Sequence, residues 1–141
     1  MATYYVKHFP HDVPFQDIQR EAELQEQAAR LGFAPKVHEV TEHSIVMDNI
    51  NEMTIADMYG TRIRDVPKSI RESILYIVYK LFLETGIEYL DVTPYNFIEK
   101  DGVVWIIDFG HARYASGRHL DPYLSNMFGK MKLSKWNPKF R

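Results

Sequence analysis

Between Asp65 and Gly86 the chain carries the feature that most restricts its fold. Ile70, Ile74, Ile77, Val78, Leu81 and Phe82 recur at helical spacing and make one apolar stripe. Asp65 stands where a cap is expected, Pro67 suits the first turn, and Gly86 is a stop signal. A helix this apolar needs packed neighbours, so it is expected at the centre of the core.

The flanking segments say what those neighbours are. Tyr4–Phe9 is β-rich and ends at Pro10. Phe15–Leu31 is helical, with Phe15, Ile18, Ala22, Leu24, Ala28 and Leu31 on one broad face and Gly32 beyond it. Two strands follow, Lys36–Val40 and Ser44–Met47, joined through Glu42 and His43, and then a short helix at Thr54–Tyr59. After the long helix, Phe97-Ile98 and Val103–Ile107 flank Lys100-Asp101-Gly102, a hairpin signal. Asp121-Pro122 opens a last helix whose buried face is Tyr123, Leu124, Met127 and Phe128. Strands and helices are mixed without βαβ alternation, so the expected class is α+β. At 141 residues one domain is expected.

Composition narrows the chemistry. With no cysteine there is no disulfide, thiolate metal site or thiol nucleophile. Seventeen basic and 19 acidic side chains leave a net charge of −2, which gives no global pull toward nucleic acid or membrane. The start lacks the basic and apolar regions of a signal peptide, and no apolar run spans a bilayer. A soluble cytoplasmic protein is expected. Lys130, Lys132, Lys135, Lys139 and Arg141, interleaved with Trp136 and Phe140, read as a basic tail. A solvated or disordered terminus is the preferred reading over contact with an acidic partner or nucleic acid. The six histidines show no His-x-x-x-His spacing and read as surface or local hydrogen-bonding groups.

The chemistry lies in Asp91-Val92-Thr93-Pro94-Tyr95-Asn96, between the long helix and the hairpin. The hairpin's second strand leads into Asp108-Phe109-Gly110. Folding back brings a carboxylate, an amide and a second carboxylate to one end of the hairpin. Hard oxygen ligands of this kind hold Mg²⁺, and a carboxylate beside a nucleophile accepts or orients its proton, as phosphoryl transfer requires.

Asp-x-x-Pro-x-Asn, a hairpin, then Asp-Phe-Gly resembles the catalytic-loop and metal-loop pair of protein kinases. Gly32-Phe33-Ala34-Pro35 before a strand is similar to RIO-type and other small kinases. The resemblance runs from about Lys7 to Ala112. It implies a truncated kinase-like fold in a single minimal domain, 1–141: a partial N-lobe at 1–50, a reduced helical C-lobe carrying the hairpin at 51–129, and the tail at 130–141. It implies ATP and Mg²⁺ as cofactors. Asp91 would be the catalytic aspartate, with Asn96 and Asp108 as metal ligands. Lys7 would pair with Glu21, for which Glu23 and Glu26 are rivals. Met47 would be the gatekeeper, and the carbonyl of Asp48 and N–H of Ile50 would meet the adenine edge.

Departures from that pattern shape the expected activity. Only six residues precede Lys7, too few for two strands and a glycine-rich phosphate loop. Tyr89-Leu90 replaces His-Arg, Thr93 stands where many such kinases have lysine, and no Ala-Pro-Glu motif follows Gly110. The expected activity is Mg²⁺-dependent transfer of the ATP γ-phosphoryl group to a serine, threonine or tyrosine hydroxyl of a protein substrate. The alternative is a kinase mimic that binds a partner kinase or its substrate. A small-molecule acceptor and ATP hydrolysis remain open.

Overall fold

The long helix sits where its stripe requires. The protein is described by a computed structural model covering residues 3–117 and 119–140; Met1 and Ala2 of the expected N-lobe and Arg141 of the expected tail lie outside the described residues. Ile74, Val78 and Leu81 of this helix (Lys68–Thr85) are fully buried in the main core with Ile87, Tyr89, Phe97, Ile106 and Phe109. Each such aliphatic side chain contributes about 1.5–3 kcal/mol by leaving water.

In chain order the described residues form β1 (Tyr4–His8), α1 (Phe15–Arg30), β2 (Val37–Val40), β3 (Ser44–Asp48), α2 (Ile55–Tyr59), α3 (Lys68–Thr85), β4 (Ile87–Glu88), β5 (Phe97–Lys100), β6 (Val103–Ile106), β7 (Arg113–Tyr114) and α4 (Pro122–Lys130). All strand pairs are antiparallel, in one three-stranded sheet ordered β1-β3-β2 and two two-stranded ribbons, β4-β7 and β5-β6. This is the mixed α/β architecture expected from the order of elements.

Two packing units result. Ile18 and Ala22 of α1 meet Ile45 and Met47 of central β3, forming a small core beneath the three-stranded sheet. The larger core surrounds α3 and takes in the β5–β6 hairpin, β4 and α4. The hairpin closes through Asp101 and Gly102, both at positive φ (53° and 80°), the two-residue turn whose twist suits antiparallel strands. Gly86 ends α3 at φ 77°, its N–H donating to the Phe82 carbonyl over 2.9 Å. The chain then turns directly into β4.

Three expectations need correction. Asp65 does not cap α3: the cap position is Pro67, while Asp65 lies in a 3₁₀ turn and accepts from Arg62 Nε at 2.8 Å. Proline cannot donate, and at the cap position no donor is required. In α4 the face is narrower than expected, with Leu124 and Met127 buried and Tyr123 and Phe128 half-buried against the core. The third correction concerns the basic tail. Leu133 and Asn137 are buried, and the Trp136 indole N–H donates to the Thr61 carbonyl at 3.0 Å. The lysines stay in water, but the apolar residues between them are anchored against the body of the protein.

Candidate active site

Three segments converge at one end of the β5–β6 hairpin: the loop 91–96 before it, the turn 108–110 after it, and β1 from the far sheet. The loop is locally wound. The Val92 N–H donates back to the Leu90 carbonyl at 2.8 Å, so the backbone turns sharply at Asp91. The Asn96 Nδ2 donates to the Asp91 carbonyl at 2.9 Å, closing the loop on itself. With its nitrogen so engaged, the buried Asn96 keeps its side-chain oxygen as an acceptor.

The Asp91 carboxylate is mostly shielded. Its Oδ1 accepts from Thr93 Oγ1 at 3.2 Å, and its Oδ2 lies 3.3 Å from His111 Nδ1. Asp108 accepts at Oδ1 from the Gly110 N–H (2.8 Å) and from Lys7 Nζ (3.3 Å). Its backbone carbonyl accepts the hydroxyl of fully buried Tyr89 at 2.5 Å. The Tyr89 ring meets Phe97 and Phe109 edge-on, with centroids 5.8 and 5.5 Å away. Tyr89 therefore ties the start of the turn 108–110 to the core.

Lys7 reaches Asp108 across 101 residues and pairs with Glu21 Oε2 at 2.5 Å. Among the expected partners only Glu21 makes this contact; Glu23 is on the exposed side of α1 and Glu26 is half-buried. Burial pulls the Lys7 ammonium down, but the charges of Asp108 and Glu21 outweigh it and hold it above the ordinary lysine value. Burial pushes the Glu21 carboxyl up, and Lys7 offsets this only in part. Lys7 thus stays cationic near neutrality.

A cleft of about 330 Å³ collects most of the expected site: Lys7, Met47, Asp48, Ile50, Asn96 and Asp108 all line it. That volume is at the small end of the roughly 300–1,000 Å³ usual for small-molecule sites. Met47 is buried at its back, and Asp48 carries its carboxylate outward to His38. Lys100 Nζ donates to the Ile50 carbonyl at 2.9 Å and steadies the rim. Asp91 and Glu21 stand outside the cleft, the first beside Asn96 and the second behind Lys7.

Three contributors lacked a usable signal in the sequence. Tyr89 read only as a departure from a motif, and His111 as a local hydrogen-bonding residue. Asn137 sat in the supposed tail; its one hint was the apolar spacing Leu133, Trp136, Phe140, which a fully solvated segment does not need.

The antiparallel sheet, the buried central helix and the lysine–carboxylate cleft define a member of the protein kinase-like superfamily. The chain belongs to the RIO domain family, whose pattern matches residues 4–127. It is 30% identical over 111 residues to a probable serine/threonine-protein kinase BUD32 homolog of Archaeoglobus fulgidus, covering 77% of this chain and 52% of that protein. The chain thus spans about half the length of that curated relative. Its fold resembles the Rio2 kinase–ADP/Mg²⁺–phosphoaspartate complex of Chaetomium thermophilum, with TM-score 0.60, 19% identity, and 81% of this chain and 35% of that one covered. It also resembles Rv3197 of Mycobacterium tuberculosis, solved with erythromycin, with TM-score 0.59, 21% identity, and 76% and 29% covered. Among the described residues no helix is long and apolar enough to cross a membrane.

Proposed function

We propose that this chain binds Mg²⁺-ATP and transfers the γ-phosphoryl group to a serine, threonine or tyrosine hydroxyl of a protein. The observation that carries this reading is the placement of Lys7, Asn96 and Asp108 around one cleft, with Asp91 beside it, its backbone carbonyl held by Asn96 Nδ2. The three-stranded sheet with α1 then reads as a partial N-lobe and the α3-centred part as a reduced C-lobe.

The donor set fits Mg²⁺. Among the described residues no group of three or more His, Cys, Asp or Glu forms a metal cage of its own. Mg²⁺ needs none, because it is held through one or two side chains plus the substrate's phosphates. Asn96 through its free oxygen and Asp108 through its carboxylate would hold it, and it would neutralise charge on the phosphates. Lys7, cationic and fixed by Glu21, orients phosphate oxygens. Asp48 and Ile50 offer backbone groups to the adenine over the Met47 side chain. Asp91 receives the proton of the acceptor hydroxyl, and Thr93 keeps the carboxylate turned toward it. Thr93 brings no charge, so the transferring group is less stabilised than beside a lysine.

A second reading, a module that docks on a kinase or its substrate, is favoured by β1. It is an edge strand on which Tyr4, Tyr5 and Val6 are exposed. One comparison separates the two. Nucleotide affinity is measured with and without Mg²⁺ for the wild type and Asp108→Ala, then transfer of labelled phosphate for the wild type and Asp91→Asn. The enzyme reading expects Mg²⁺-dependent binding lost in Asp108→Ala and transfer lost in Asp91→Asn. Equal labelling by wild type and Asp91→Asn would overturn it.

A further inference from the structure

From the way the C-terminal segment meets the loop around Asp91, we infer that Asn137 is a positioning residue for Asp91 and that residues 133–140 are part of the transfer site. The inference rests on the phosphotransferase reading for its kinetic consequence, but not for its structural one.

After α4 the chain doubles back across the catalytic loop. The Tyr123 hydroxyl holds the Lys135 carbonyl at 2.6 Å, Trp136 is tied to Thr61, and Leu133 enters the main core. Those anchors deliver Asn137 to the carbonyls on either side of Asp91. Its Nδ2 donates to the Leu90 carbonyl at 2.8 Å, and its backbone N–H donates to the Val92 carbonyl at 3.0 Å. The side-chain oxygen faces the other way and accepts from the Lys139 N–H at 3.1 Å. Asn137 is only 4% exposed, so these partners have no easy replacement by water.

The same segment also approaches the Asp91 side chain. Phe140 packs at a tilt against the His111 imidazole, centroids 4.9 Å apart, and that imidazole faces Asp91 Oδ2. Backbone and carboxylate of Asp91 are therefore both referred to one strap. The loop's own bonds, Val92 to Leu90 and Asn96 to Asp91, set its curvature. Asn137 sets its position relative to the core. The amide meets both demands, donating from Nδ2 to one carbonyl while its oxygen accepts from a backbone N–H. A displacement of about 1 Å in a reacting group is enough to cost roughly a hundredfold in rate.

The test uses the full chain with Asn137→Ala, the shape-conserving Asn137→Asp, and the exposed-lysine control Lys132→Ala. Amide hydrogen exchange is read at residues 90–96 and, as an internal reference, along α3. Mg²⁺-ATP affinity, KM for ATP and transfer rate at saturating ATP are measured alongside. Both Asn137 variants are expected to exchange at least about tenfold faster in the loop with α3 protection unchanged. Their nucleotide affinity and KM for ATP should stay within about twofold of wild type while the transfer rate falls roughly 10–100-fold. Lys132→Ala should match the wild type throughout. Unchanged loop exchange, equal acceleration in loop and α3, or unfolding of both variants would overturn the proposal. If the wild type transfers no phosphate, the functional reading fails and loop exchange alone decides the role of Asn137.

Discussion

Tyr89→Phe isolates a single hydroxyl at the heart of the site. The ring is fully buried against Phe97 and Phe109, so phenylalanine keeps its volume and edge contacts and opens no cavity. What disappears is the donor to the Asp108 carbonyl. An interior acceptor left unpaired costs about 1–3 kcal/mol. The Asp108 residue is only half-buried and water can partly replace the donor, so about 1–2 kcal/mol is expected. With a urea m-value of roughly 1.5–2 kcal/mol/M, the unfolding midpoint should fall by roughly 0.5–1.3 M. Tyr89→Ala, which also empties the ring's space, should cost about 3–5 kcal/mol. Because the lost bond holds the backbone of Asp108, Mg²⁺-ATP affinity should weaken in Tyr89→Phe as well. A midpoint shift below about 0.2 M, beside a large loss in Tyr89→Ala, would refute the reasoning. The hydroxyl would then contribute nothing and the ring everything.

Three further predictions follow from single contacts. Glu88 is fully buried and accepts from Arg113 Nε at 2.8 Å and the Asp121 N–H at 3.1 Å; Arg113→Met should cost about 2–3 kcal/mol in chemical denaturation, below the roughly 3–5 for a wholly buried pair because the Asp121 donor remains. Gly86→Ala should cost about 1–2 kcal/mol purely from its φ of 77°, since no neighbouring atom lies within 4 Å of the added methyl; a cost near zero would show that α3 can end another way. Glu21 has a folded-state pKa raised above its unfolded one, so it contributes stability at low pH that is lost as pH rises through the folded value. Lys7→Met removes the charge that holds Glu21 down. Stability of that variant should therefore fall more steeply than wild type as pH rises above the ordinary glutamate value, as read from urea midpoints.

Local chemistry in the sequence determined much of this protein. The stripe of α3 is a matter of 3.6-residue spacing, and the Asp101-Gly102 turn a matter of two residues that tolerate positive φ. The link from Asn96 to Asp108 spans one short hairpin, so their approach follows from a turn and a register, both legible in order. The pairing of Lys7 with Glu21 came from the resemblance to the kinase pattern, which left Glu23 and Glu26 as rivals. The reach of Lys7 to Asp108, the seating of Tyr89 under Asp108, the Arg113–Glu88 pair and the grip of Asn137 on Leu90 and Val92 are different. Each joins residues from separate elements through single directional hydrogen bonds. Such bonds leave no period in the chain, and a lone amide among lysines looks like solvent-facing tail until Leu133 and Trp136 are packed. The residues of the candidate site were thus legible in the sequence, whereas tertiary packing alone decided what holds them still.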